Sequence, residues 1–166
     1  GSRAYPGAAW LASQAASHAG AGYVRLLLNA AAADAVRGRL VEVVLEEIGP
    51  GDHLVDAEPV LSSLADGRLG SAVVGPGLGR DEATLAAVRR VVLESSVPMV
   101  VDADGLMAFA GMPESLRARE GGLILTPHAG ELAALLGGAV SGASVAGASA
   151  SEAVASLAAA RAAAER

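Results

Sequence analysis

The sequence predicts an α/β protein, a mostly parallel central sheet with helices on both faces, and three observations carry that reading. Apolar runs of strand length alternate with segments whose apolar residues recur at helical spacing. Three of those runs, 71–74, 98–102 and 122–126, each end on a loop of glycines or polar side chains from which a helical pattern opens. Across 166 residues, 52% hydrophobic content stands beside only 2% aromatic content, so small-residue helices can lie close against a sheet. Strands joined through helices run parallel, with right-handed crossovers.

Residues 1–7 form a turn-rich loop, and a helix over 8–19 follows with Trp10 and Leu11 as its only bulky apolar side chains. Ala8 and Ala9 stand in its first turn, where an absent side chain leaves room for a ligand, although alanine there is equally a plain helix former. His18 shares a face with Gln14 but has no neighbouring imidazole, and it reads as structural or solvated. Gly20 and Gly22 end the helix. A strand over 23–28, a short helix over 30–39 and a second strand over 40–45 come next. Glu42 and Glu46 interrupt the second strand, which puts it near an edge. His53 falls in the loop 46–57 between Asp52 and Asp56, with no second imidazole close enough in sequence to suggest a metal site. A short helix covers 59–65.

The stretch 71–82 organises the rest. Its apolar run breaks at Gly75, Pro76, Gly77 and Gly79, and acidic residues open the next helix. Glycines there remove Cβ atoms where backbone N–H groups are exposed and the helix dipole is positive, which suits close approach of a polar or anionic ligand. Leu85, Val88, Val91 and Val92 give that helix its apolar face. The strand 98–102 ends on Asp102 and Asp104, ahead of a short helix over 105–110 and a polar connection over 112–121. The strand 122–126 leads to His128 at the start of a helix running to Leu136, with Glu131 in its first turn. Helix N-termini favour neutral imidazole over imidazolium, and the ring is expected to face the edge that carries the glycine loop. Parallel strands share one C-terminal edge, so these three loops are expected to line a common crevice. A low-complexity run over 137–150 and a last helix from Ser151 complete the chain.

A formal charge of −6, with twelve scattered basic residues that are all arginine, argues against nucleic-acid binding. Absence of cysteine excludes disulfides, thiolate metal sites and a cysteine nucleophile. No apolar run approaches the roughly 18 residues of a membrane span. The first residues lack the pattern of a signal peptide. The expectation is a cytoplasmic protein with no membrane partner, forming a single domain over 1–166.

Four motifs together resemble a known family. Tyr5-Pro6-Gly7-Ala8-Ala9-Trp10-Leu11 running through Ala19-Gly20-Ala21-Gly22-Tyr23-Val24-Arg25 is the first; Val74-Gly75-Pro76-Gly77-Leu78-Gly79-Arg80 is the second. Val101-Asp102-Ala103-Asp104-Gly105-Leu106 and Leu125-Thr126-Pro127-His128-Ala129-Gly130-Glu131-Leu132 complete the set. Their order and spacing are similar to those of the ADP/ATP-dependent NAD(P)H-hydrate dehydratases over nearly the whole chain. That resemblance implies a ribokinase-like fold and a nucleotide-repair lyase. Such an enzyme returns the S-epimer of hydrated NADH or NADPH to the intact coenzyme, with ADP or ATP as co-substrate and Mg2+ as cofactor. It also implies a small-molecule dinucleotide substrate and a homo-oligomer, with a tetramer as one form.

By the same resemblance Ala8, Ala9, Gly77, Gly79 and His128 match positions that hold the nicotinamide hydrate, and Asp102, Asp104 and Glu131 match polar pocket positions. Hydroxide is a poor leaving group, so phosphorylating the ring hydroxyl first turns loss of water into loss of phosphate. Family members also carry a strand before Gly1, then a late Lys-Gly pair and a glycine-rich loop ending in Gly-Asp that supplies the expected catalytic base. This sequence has no lysine, and its Gly51-Asp52 lies elsewhere. The expectation is therefore a chain carrying the substrate side of the site, with the catalytic residue unknown. A ribokinase-like small-molecule kinase and a non-catalytic dinucleotide-binding module are the alternatives.

Overall fold

Val44-Leu45 pairs with Arg25-Leu26 and Met99-Val100-Val101 pairs with runs on both of its sides, and every one of these pairings is parallel. The computed structural model describes residues 1–138; most of the low-complexity run to Ala150 and the helix expected from Ser151 lie outside the described residues. The elements follow in order as α1 (Pro6–His18), β1 (Arg25–Leu28), α2 (Ala30–Val36), β2 (Val44–Glu47), α3 (Glu58–Leu64), β3 (Ala72–Val74), α4 (Glu82–Glu94), β4 (Met99–Val101), α5 (Asp104–Met107), β5 (Leu123–Leu125) and α6 (Ala129–Leu135). Short 3₁₀ turns follow α2 at Arg37–Arg39 and precede β5 at Pro113–Ala118. This is the α/β arrangement of parallel strands and flanking helices that the alternating pattern predicts.

The strands form two hydrogen-bonded groups, β1-β2 and β3-β4-β5. Between β1 and β3 lies a mainly apolar cavity of about 250 Å3, bordered by Leu26 and Leu27 on one side and by Ala72 and Val74 on the other. The core divides along the same line. Leu26, Leu28, Ala32, Ala33 and Val36 pack with α1, while Val88, Val91, Val92, Val101, Leu106 and Phe109 form the larger cluster around β3, β4 and β5. Val88, Val91 and Val92 are almost completely buried, as the apolar face of α4 requires. Burial of each such side chain is worth about 1.5–3 kcal/mol. The opposite face of the three-stranded group is less covered, and Val73 and Ile124, both in register with Val100, remain exposed.

One strand is displaced from its expected range. β2 begins at Val44 rather than at residue 40, because the pairing with β1 is set by Val44 N–H donating to the Val24 carbonyl (2.9 Å) and Ile48 N–H donating to that of Leu28 (3.0 Å). Val41 is left 94% exposed. Glu46, which looked like an interruption, belongs inside the strand because its carboxylate pairs with the Arg25 guanidinium at 3.3 Å. Arg25 is itself nearly buried and reaches Asp66 at 2.6 Å and Ser63 Oγ at 3.0 Å, tying β1 to the end of α3.

Two further anchors tie α4 in place, one near the edge that carries the polar loops and one at the opposite edge. Thr84 Oγ1, fully buried in α4, donates to the Leu54 carbonyl at 2.7 Å. Arg119 donates to the carbonyls of Val92 (2.8 Å), Gly122 (3.0 Å) and Val97, so one guanidinium gathers the end of α4, the entry to β4 and the entry to β5.

Candidate functional site

The glycine loop leaves β3 through three residues with positive φ, namely Gly75 (130°), Gly77 (67°) and Gly79 (90°). At Gly75 a Cβ would overlap the Asp102 carbonyl, and at Gly105 one would come within 3.0 Å of the Gly75 Cα. The backbones of the β3 and β4 loops therefore lie directly on one another. Asp102 N–H donates to the Val74 carbonyl at 3.0 Å, and Gly105 N–H donates to that of Asp102 at 2.9 Å. Between them Ala103 is the only described non-glycine residue at positive φ, with φ 49° and ψ −124°. A conformation this sparsely populated costs on the order of 1–3 kcal/mol.

Gly77 faces the N-terminal segment. A Cβ there would stand 2.5 Å from the Tyr5 carbonyl oxygen and 3.0 Å from the Ala8 Cβ, and the Gly77 carbonyl accepts from Ser2 N–H at 2.6 Å. Ala8 is thus small because the glycine loop lies against the first turn of α1. Ala9 points elsewhere. It is buried with Leu26 and Leu28 and borders the inner cavity rather than the outer loop surface.

Gly79 is fixed from the other side. Its N–H donates to Asp104 Oδ2 at 3.0 Å, and Arg80 Nε donates to Asp104 Oδ1 at 2.8 Å. Both carboxylate oxygens of Asp104 are therefore occupied by adjacent residues of the glycine loop. Leu78 N–H is also satisfied internally, donating to the Gly75 carbonyl at 3.2 Å. Asp102 is half-buried, and its carboxylate makes no hydrogen bond or ion pair among the described residues.

After β5, His128 is the N-cap of α6. Its Nδ1 accepts from Gly130 N–H at 3.0 Å and Glu131 N–H at 3.3 Å, while Glu131 Oε2 accepts from His128 N–H at 3.0 Å. This reciprocal arrangement is a capping box. With Nδ1 accepting, the remaining ring N–H lies on Nε2, 3.2 Å from Glu131 Oε1. The ring is exposed and its partner Glu131 is buried. His128 therefore folds back toward its own helix, with its side chain still 68% exposed.

The structure brings Ala8, Gly77, Gly79 and Asp104 into one continuous surface, with His128 and Glu131 as a second pair. Arg80 is the charged link that sequence reading passed over. Asp104 stabilises its guanidinium first, and Glu131 adds to the same field. Its direct attachment to Gly79 was the available signal. Beyond Arg80 an open groove continues past Tyr5, Asp52 and His53. Among the described residues no three His, Cys, Asp or Glu side chains come together to hold a metal ion. His18 bonds the Gln14 carbonyl at 2.8 Å at the end of α1, the structural role its isolation suggested.

A family model described as NAD(P)H-hydrate dehydratase matches residues 1–163. The chain is similar to a bifunctional NAD(P)H-hydrate repair enzyme from Mycobacterium tuberculosis strain H37Rv, 42% identical over 137 residues, which are 82% of this chain and 25% of that protein. A protein of the same description from Moorella thermoacetica is 40% identical over 145 residues, covering 82% of this chain and 26% of the relative. Another from Salinibacter ruber is 37% identical over 141 residues, with coverages of 82% and 26%. The chain spans about a quarter of the length of the curated relatives it matches. A match over nearly its full length means that the chain belongs to the NAD(P)H-hydrate dehydratase family.

Proposed function

We propose that the chain acts in repair of damaged reduced nicotinamide coenzymes, as the hydrate-binding side of a lyase that returns hydrated NADH or NADPH, as its S-epimer, to NAD(P)H. The observation that carries this reading is the apposition of the glycine loop to Ala8 on one side and to the Asp102–Gly105 backbone on the other. That apposition sets the loop main chain against the backbone of Asp102, whose carboxylate has no partner among the described residues, and the exposed His128 ring stands at the start of α6. A flat reduced nicotinamide ring needs such close approach to the main chain. The Asp102 carboxylate is the group proposed to accept from its hydroxyl or carboxamide, and the exposed His128 ring offers Nε2–H in exchange for its contact with Glu131 Oε1.

Repair requires the ring hydroxyl to leave. In the proposed sequence ADP or ATP passes its terminal phosphoryl group to that oxygen. The carbon–oxygen bond then breaks with loss of phosphate, and a ring proton departs to restore the double bond. Mg2+ is proposed to arrive with the nucleotide, neutralising phosphate oxygens, which accords with the lack of a three-ligand cluster among the described residues. The chain's own residues orient the hydrate and hold water away from the reacting face. We further propose that the protein works as a homo-oligomer in the cytoplasm; no described helix is long and apolar enough to cross a membrane.

The test is incubation of the protein with NAD(P)H hydrate, Mg2+ and either ADP or ATP, while following reduced-nicotinamide absorbance and phosphorylated products. Nucleotide-dependent recovery of absorbance with release of phosphate is expected. A stable phosphorylated product without recovery would instead identify a small-molecule kinase.

A further inference from the structure

Asp104 lies at the site with each of its carboxylate oxygens already engaged by the glycine loop. Oδ2 accepts from Gly79 N–H at 3.0 Å and Oδ1 from Arg80 Nε at 2.8 Å, and the side chain is only 15% exposed. It starts α5 directly after the strained Ala103, so its backbone direction is set by the loop packing beneath it. The other end of the glycine loop is held without side chains, by backbone contact between Gly75 and the Asp102–Gly105 segment. Asp104 is therefore the side chain that closes the loop at its distal end.

We propose that Asp104 is a positioning residue rather than a ligand of the hydrate. Its carboxylate clamps Gly79 and holds Arg80 beside the pocket, and through them it sets the affinity of the glycine loop for the dinucleotide. This rests on the binding of the coenzyme at that loop, and the two ideas separate experimentally. Arg80 enters as the second member of the clamp. It is 62% exposed, so its guanidinium can turn between Asp104 and the groove past Tyr5. A carboxylate with two in-molecule donors is held in one orientation, and preorganisation of this kind raises affinity by removing loop freedom before binding.

The variants D104N, D104A and R80Q separate the clamp from direct ligation. Asparagine keeps an oxygen for Gly79 N–H but gives up both the ion pair and the hydrogen bond to Arg80, because its amide nitrogen is a donor. Two readouts are made on the full chain, hydrogen exchange of the Gly79 amide and titration with NADH as the probe. Expected for D104A are exchange at least tenfold faster and NADH affinity at least tenfold weaker. D104N should rescue exchange to within about threefold of the parent and lose no more than about threefold in affinity, with R80Q behaving like D104N. A direct ligand role would show as D104N losing tenfold or more in NADH affinity while Gly79 exchange stays unchanged, and that result overturns the proposal. D104N decides this alone should D104A not fold. If the parent chain binds no NADH, the coenzyme reading of the site is lost. The exchange data still decide the clamp, which is overturned if D104A leaves Gly79 exchange unaltered.

Discussion

The carbonyl oxygen of Asp102 occupies the space that a side chain on Gly75 would need, so the β3 and β4 loops meet backbone to backbone. Alanine at 75 must displace a main-chain atom and also adopt φ near 130°. These penalties act together, and a loss of about 3 kcal/mol or more follows for Gly75→Ala. At Gly77 the φ of 67° is one that other residues reach at a cost of about 1–2 kcal/mol, and the closest obstacle is the Tyr5 carbonyl of a surface loop. Thermal melting should show Gly75→Ala as much the more damaging of the two. Equal losses would mean that the loop contact is not rigid.

His128 combines a cap with an exposed ring edge, and two substitutions separate these roles. Asparagine is a good N-cap and can still accept from the Gly130 and Glu131 amides, whereas alanine cannot. His128→Ala should lower stability by about 1 kcal/mol. His128→Asn should melt within a few degrees of the parent and still bind the hydrate at least fivefold more weakly. Wild-type hydrate affinity in His128→Asn would confine the residue to capping.

Ala103 carries a backbone conformation that glycine adopts without strain and alanine only at a cost. Ala103→Gly should leave stability unchanged or raise it by up to about 1 kcal/mol, relief of strain being offset by added freedom in the unfolded chain. At an ordinary turn position the same change destabilises, so the sign of the effect in a melting experiment is diagnostic.

Asp66 links acid stability to the β1–α3 contact. Arg68 first, then Arg25, hydrogen-bond its carboxylate and hold the carboxyl well below its ordinary value of 3.8. The folded protein thus binds that proton less readily than the unfolded chain. The stabilisation is present in full above about pH 4 and is lost as pH falls toward the depressed folded value. Asp66→Asn should lower the melting temperature at neutral pH and flatten its decline below pH 4. Parallel acid profiles for parent and variant would assign the acid limb to other carboxylates.

Much of this was legible in the residues. Val88, Val91 and Val92 announce the buried face of α4 by spacing alone, and the polar ends of three apolar runs predict parallel strands that share one edge. What escaped is what depends on partners distant in sequence. Glu46 looks like a strand breaker until Arg25 is seen across the pairing, and nothing in the spacing shows that Asp104 bonds Gly79 and Arg80. His128 stands at a helix N-terminus, as its position predicts, but its ring caps that helix, which the position alone does not show. The division of the strands into two groups was also hidden, since an apolar run does not say which neighbour it pairs with.

The most direct test of the central claim is hydrogen exchange of the chain with and without NAD(P)H hydrate. Protection is predicted along the Gly77–Arg80 loop and at Asp102–Asp104, with smaller changes at the start of α6. Binding without protection at these loops, or protection confined to the inner cavity between β1 and β3, would contradict it.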